Sequence, residues 1–260
     1  MFYALATDKI ETDEFDFVHE LHDIETLNHA ALEGTYEVSA VSIHGFAFIA
    51  DRYALLNSGA SMGEGYGPKL VSRKFFDPSE LASRTVAVPG LRTSAYLALK
   101  LFHPAVVTEV VPFDEIIPHV REGKSDAGVI IHEGQLTYRD EGLQQVLDLG
   151  EWWLSETGLP LPLGGNVIRK DLGRENIERL GVMLRESIEF SLAHREEALN
   201  YALQFGRGLD SSDGDRFVSM YVNERTVDYG DSGRSAVQLF LDRGHQAGII
   251  PHSIQVEFVG

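Results

Sequence analysis

Along the 260-residue chain, short apolar runs alternate with segments whose apolar side chains recur at helical spacing, the pattern of successive βαβ units. Asp23 can cap a helix over Ile24–Glu33 that stops at Gly34, where glycine accepts a left-handed conformation. The run from Tyr36 to Ile43 reads as a buried strand, and a short helix follows from about His44. Strands at Tyr53–Leu56 and Pro68–Arg73 flank the glycine-rich stretch 57–67.

A second set opens at Thr85-Val86-Ala87-Val88-Pro89-Gly90. It predicts a helix from Thr93 or Ser94 to Phe102, a strand over Val106–Val111, a helix over Phe113–Glu122 and a strand over Ala127–Ile131. After Asp148 the pattern turns irregular, through Trp152-Trp153 and Leu159-Pro160-Leu161-Pro162-Leu163-Gly164-Gly165. From about Glu175 it is mostly helical. Ile177, Leu180, Leu184 and Ile188 share one face, with breaks near His194 and at Gly206-Arg207-Gly208. A last helix, about Ser235–Gln246, ends at Ala247-Gly248.

Two clusters of βαβ units with a helical return predict an α/β protein of two lobes around a ligand cleft. The first lobe takes residues 1–82 plus 167–260, C-terminal helices included; the second takes 83–166. Ligands of such sheets bind at the carboxyl ends of strands, beside helix N-termini. That rule places functional residues at Ser42, Gly90–Ser94 and His132.

Charge narrows the partners. With 22 basic against 40 acidic residues the formal charge is −18, a surface that repels phosphate backbones and anionic membranes, so neither nucleic acid nor membrane is an expected partner. An anionic ligand needs a locally favourable site. The absence of cysteine excludes disulfides and thiolate metal sites. No run approaches the ~18–20 apolar residues of a membrane span, and Met1–Lys9 lacks the basic region and small-residue cleavage site of a signal peptide. The expectation is a cytoplasmic protein.

Ser42-Ile43-His44 follows an apolar strand and opens a helix, so a hydroxyl and free N–H groups face the cleft in a way that suits a carboxylate or phosphate. An ordinary serine N-cap also accounts for it. Gly90-Leu91-Arg92-Thr93-Ser94 repeats the arrangement in the second lobe, one hydroxyl as cap and the other for ligand. Gly59–Gly67 lacks the Gly-Lys-Ser/Thr ending of a phosphate loop and reads as a mobile inter-strand or hinge-side loop. His132 lies where buried strand gives way to cleft; partial desolvation there keeps an imidazole neutral and able to accept a proton. Glu133, on the opposite side of an extended chain, is a poor orienting partner. The other histidines show no metal-binding spacing, and no metal or other cofactor is expected. Trp152 and Trp153 can stack on a planar ligand or fill the core.

Several segments together resemble the 1,4-dihydroxy-6-naphthoate synthase family of the futalosine route to menaquinone. They are Asp23-Ile24-Glu25-Thr26-Leu27-Asn28, Gly63-Glu64-Gly65-Tyr66-Gly67-Pro68, Val86-Ala87-Val88-Pro89-Gly90 with Thr93-Ser94, Ile130-Ile131-His132-Glu133-Gly134-Gln135-Leu136-Thr137-Tyr138, and Leu159-Pro160-Leu161-Pro162-Leu163-Gly164. The resemblance implies a two-lobed fold like the type II periplasmic binding proteins, used as an enzyme. It implies a small-molecule aromatic carboxylate substrate, cyclic dehypoxanthinylfutalosine, with His132 as catalytic base and Ala40, Val41, Ser42, Thr93 and Ser94 as substrate contacts. It leaves a homodimer open. Family members begin with a further strand and a Ser/Thr-Pro acidic loop before the Phe-Tyr-Ala-Leu segment. Here Phe2-Tyr3-Ala4-Leu5 follows Met1 directly, so a first lobe without that strand and loop is expected.

Two rivals share the fold. Chorismate dehydratases of the same pathway lack a histidine at the end of this strand, which His132 argues against. A non-catalytic small-carboxylate-binding protein is the other, and turnover of cyclic dehypoxanthinylfutalosine separates all three.

Overall fold

The computed structural model describes residues 1–12, 15–205 and 211–260. Helix α1 (Tyr3–Ala6) is a single turn, and α2 (Ile24–Glu33) forms as its ends dictate. Asp23 Oδ1 accepts from the N–H groups of Glu25 and Thr26, and Gly34 closes the helix at φ 71°. Then come β1 (Val38–Ser42), the four-residue α3 (Ile43–Phe46), β2 (Tyr53–Leu56), the short β3 (Ser61–Gly63) and β4 (Lys69–Ser72). The next stretch holds β5 (Thr85–Val88), α4 (Ser94–Phe102), β6 (Val107–Val110), α5 (Ile116–Arg121), β7 (Ala127–Ile130), α6 (Gly134–Thr137) and β8 (Gln144–Asp148). Helix α7 (Leu149–Thr157) leads into β9 (Leu161–Arg169). The chain then runs through α8 (Arg174–Ala193), α9 (Arg195–Leu203), α10 (Ser211–Tyr221), α11 (Glu224–Val227), α12 (Gly230–Gln246) and β10 (Phe258–Val259).

These strands form two sheets. One has the order β6-β5-β7-β4-β8, with β5 parallel to β6 and β7, as the βαβ pattern predicts, and β4 and β8 added antiparallel. The other has the order β1-β9-β2-β10, with β3 also on β9. Here β9 runs antiparallel to β1, β2 and β3, so the nine-residue return strand is the spine of this sheet.

Four expectations change. The region after Asp148 is regular, a helix and the longest strand. Its character is masked because Pro162 lacks a donor and Gly164 and Gly165 lack side chains, which breaks the strand pattern. The strand within Pro68–Arg73 pairs in the second sheet, and Leu161–Arg169 pairs in the first, so strands cross the boundaries drawn at 82 and 166. The glycine-rich stretch contains a strand, β3, held by β9. The first sheet is largely antiparallel rather than built of parallel units, because the chain re-enters it from the second sheet. His194 does separate α8 from α9; the break at Gly206-Arg207-Gly208 lies outside the described residues.

One apolar core spans both sheets, with Val41, Leu55 and Val167 from the first and Leu70, Val86 and Val129 from the second. Burying each such side chain contributes roughly 1.5–3 kcal/mol. Trp153 and Phe240 meet edge to face in it, 5.2 Å apart, and tie α7 to α12.

Candidate functional site

A cavity of about 300 Å³ opens where the carboxyl ends of β1, β5 and β7 approach the first half of β9. Ala40, Val41 and Ser42 line it from β1, and Thr93 and Ser94 line it from the start of α4. Two sheets thus bring together five positions that lie about fifty residues apart in the chain. Among the described residues that line it, none has a charged side chain.

The hydroxyls are more engaged than their sequence context implies. Ser42 makes no cap bond to α3; instead Asn28 of α2 holds it, its Oδ1 accepting from Ser42 N–H at 2.8 Å and its Nδ2 donating to Ser42 Oγ at 3.2 Å. Thr93 is the cap of α4, accepting from Tyr96 N–H at 3.1 Å and donating to the Gly90 carbonyl at 2.8 Å. Ser94 crosses between sheets, donating to the Leu163 carbonyl at 2.6 Å and accepting from His44 N–H at 3.3 Å. The first N–H groups of α4, at Ser94 and Ala95, have no acceptor within the helix and lie along the cavity wall.

His132 stands beside this cavity rather than in its lining. Ile131 and Gln135 line it, whereas Glu133 and Phe113 line a second cavity of about 380 Å³. The imidazole packs edge-on against Phe113, with centroids 5.6 Å apart, and is 15% exposed. Its Nδ1 accepts from Gly134 N–H at 2.9 Å. A neutral imidazole that accepts at Nδ1 carries its proton on Nε2, so taking up a proton at Nδ1 requires Gly134 N–H to move aside. The Glu133 carboxylate is 3.9 Å from Nδ1. Strand β7 ends at Ile130, so the alternation expected to separate His132 from Glu133 no longer applies at this turn.

Three further lining residues carry no local signal in the sequence. Gln135 donates to the Ile130 carbonyl at 3.0 Å and accepts from Tyr221 at 2.7 Å. Burial pushes the Tyr221 hydroxyl well above the ordinary tyrosine value, so it stays protonated as that donor. Asn166 is the third, on β9; its only mark in the sequence is a polar side chain between Gly164-Gly165 and Val167-Ile168. The tryptophans are absent from both cavity walls. Trp153 is fully buried and donates to the Pro160 carbonyl at 3.1 Å, and Trp152 packs edge-on against Phe102.

His44, just behind this wall, is 1% exposed. Its Nδ1 is 3.3 Å from the Thr93 carbonyl, and its ring stacks on Tyr96 and meets Phe48 edge to face. Burial, with the Arg92 charge adding to it, holds its pKa down at about 4 against the hydrogen bond to Thr93.

The chain is similar to known proteins in sequence and in fold. The family model for menaquinone biosynthesis matches residues 1–246. A 1,4-dihydroxy-6-naphthoate synthase of Thermus thermophilus is 39% identical over 259 residues, covering 100% of this chain and 94% of that protein. A crystal structure of an Archaeoglobus fulgidus protein, 42% identical, superposes with a TM-score of 0.92 over 96% of this chain and 93% of its own. A Candida albicans protein with the generic periplasmic binding protein fold superposes at 0.61 with 14% identity, covering 88% of this chain and 78% of that one. That likeness places the architecture among periplasmic-binding-protein-like folds.

Proposed function

The chain belongs to the menaquinone biosynthesis family, and from that premise we propose that it is a 1,4-dihydroxy-6-naphthoate synthase, a lyase that cleaves cyclic dehypoxanthinylfutalosine to 1,4-dihydroxy-6-naphthoate. One observation carries the reading. Ala40, Val41 and Ser42 from one sheet and Thr93 and Ser94 from the other line a single cavity, and Ile131 and Gln135, just before and three residues after His132 in the chain, reach the same wall.

In this reading the substrate's aromatic carboxylate lies at the start of α4. There the Ser94 and Ala95 N–H groups and the positive end of the helix dipole offset its charge without a basic side chain. Ala40, Val41 and Ser42 support the ring. His132 accepts a proton at Nδ1, releasing Gly134 N–H, as the ring system opens and the sugar-derived portion leaves. A placed base of this kind supplies ~10²–10⁴-fold, and positioning supplies more. A cytoplasmic site of action fits the acidic surface.

The test is direct. Incubating the purified protein with cyclic dehypoxanthinylfutalosine should yield the naphthoate; substrate left intact by wild-type protein overturns the assignment.

A further inference from the structure

Ser42, Thr93, Ser94, Gln135 and Tyr221 on the cavity wall each have a hydrogen-bond partner inside the protein. Asn166 differs. It is 1% exposed, it lines the cavity, and neither its Oδ1 nor its Nδ2 has a partner among the described residues. A buried amide can make up to four hydrogen bonds, and buried polar atoms are otherwise almost always paired.

The backbone fixes where this amide stands. Asn166 lies directly opposite Ala40, and Gly164 opposite Ser42, in the antiparallel ladder of β1 and β9. Opposed residues share a face, so Asn166 stands over the strand end that forms the cavity floor, two pairs along from Ser42 and on the same face. Gly59 closes its other side. A Cβ on Gly59 would fall 2.1 Å from Asn166 Nδ2, and Gly59 has φ 94°, where a side chain is strained in any case. The amide is therefore held between bare backbone and the cavity.

We propose that Asn166 is a substrate-binding residue that selects the hydroxyl-bearing end of the ligand rather than its carboxylate, an inference that rests on the synthase reading above. A carboxylate offers only acceptors, so it could pair with Nδ2 but would set its lone pairs against Oδ1. A hydroxyl both donates and accepts, and satisfies both ends of the amide. The product 1,4-dihydroxy-6-naphthoate carries two hydroxyls at one end and a carboxylate at the other. With the carboxylate at the start of α4, the hydroxylated ring faces the strand floor where Asn166 stands.

The experiment compares two ligands on two proteins. The first ligand is 1,4-dihydroxy-6-naphthoate, kept anaerobic, and the second is 2-naphthoate, which has the same ring and carboxylate without the hydroxyls. Wild-type protein should bind the dihydroxy compound about 10–100-fold more tightly, the span set by a buried hydrogen-bonding group that gains or lacks its partner. Asn166→Leu, similar in shape but without polar atoms, should bring the two affinities to within about threefold, with 2-naphthoate little changed. Asn166→Ala should do the same, and stands in if the leucine variant does not fold. Equal weakening of both ligands, or an unchanged preference, overturns the assignment to Asn166. Turnover by wild type is measured alongside. If wild type cleaves the substrate but the preference survives in the variants, this inference alone fails; if wild type neither cleaves the substrate nor binds the dihydroxy compound, the synthase reading fails and takes this inference with it.

Discussion

The backbone N–H of Gly134 donates to Nδ1 of His132 across 2.9 Å. This bond assigns the neutral imidazole its proton at Nε2 and leaves Nδ1 as the nitrogen that would take up a proton in the proposed role. Nitrogen-15 NMR of the ligand-free protein should report the Nε2–H tautomer. His132→Ala should fold with an unchanged far-UV spectrum and lose ~10²–10⁴-fold in kcat, the usual share of a general base. A variant within a few-fold of wild type would remove His132 from the chemistry.

Gly134 also limits how the ring can sit. A Cβ there would come within 2.5 Å of His132 Cε1 and 2.6 Å of Ile117 Cδ1. Gly134→Ala must therefore push the imidazole off its present position or shift α6. The expected result is a fall of about tenfold or more in kcat with substrate affinity held within a few-fold, since misplacement by 1 Å can cost ~10² in rate. Steady-state kinetics that show KM changing and kcat intact would contradict this positioning role.

Much of this site can be read from residue order, and the reason is local. Asp23 and Gly34 bound α2 through cap chemistry, and the run β5-α4-β6-α5-β7 follows its apolar periods within a residue or three. The strand-end rule alone points to Ser42 and Thr93, which line the cavity, and to His132, which stands beside it. What the order of residues conceals is non-local. Pro162, Gly164 and Gly165 remove the alternation that marks a strand, yet β9 joins β1, β2 and β3. Gly164, two residues along on the same face, leaves open the space that Asn166 faces, so the residue and the strand that bears it are hidden together. The inward turn of Ser94 toward Leu163, and of His132 toward Gly134, depends on partners that no neighbouring residue specifies.

Ser94 joins the two sheets through its hydroxyl, which donates to Leu163 and accepts from His44 N–H in a buried setting. Ser94→Ala leaves both groups without that partner. Leaving buried polar groups unpaired costs about 1–3 kcal/mol. Urea unfolding should show a lower midpoint with an unchanged m-value, and kcat/KM should fall because the start of α4 is no longer tied to β9. An unaltered midpoint would mean that the contact contributes nothing to stability.

His44 makes stability depend on pH in a defined window. Burial holds it at about 4 in the fold, whereas an unfolded histidine titrates near 6.5. Between these values the unfolded chain binds more protons than the folded one, so stability rises with pH through the window and is fully present above about 6.5. The span corresponds to at most about 3 kcal/mol. Carboxylates titrate nearby, so the difference between wild type and His44→Phe isolates the effect. The stability difference between the two should slope between pH 4 and 6.5 and be flat from 7 to 8. A difference without slope would show that His44 is not held neutral by the fold.

Lys69 and Asp148 form a pair whose value lies in its completeness. Lys69 Nζ is 2.7 Å from Asp148 Oδ2, the carboxylate is fully buried, and the lysine is 16% exposed. The other oxygen, Oδ1, caps α7 by accepting from Gly150 and Glu151 N–H at 2.9 and 3.2 Å. Asp148→Ala therefore strips the ammonium of its counter-ion and uncaps the helix that carries Trp153 into the core. Removing one member of a buried pair costs about 3–5 kcal/mol, and loss of a cap about 1. Lys69→Met leaves the buried carboxylate alone and should also be costly. The double variant Lys69→Met, Asp148→Asn removes both charges while an asparagine can still cap, so it should be more stable than either Lys69→Met or Asp148→Ala. Urea unfolding of the three variants measures this. A double variant no more stable than the singles would mean that the cost comes from packing around β4 and α7 and not from an unpaired charge.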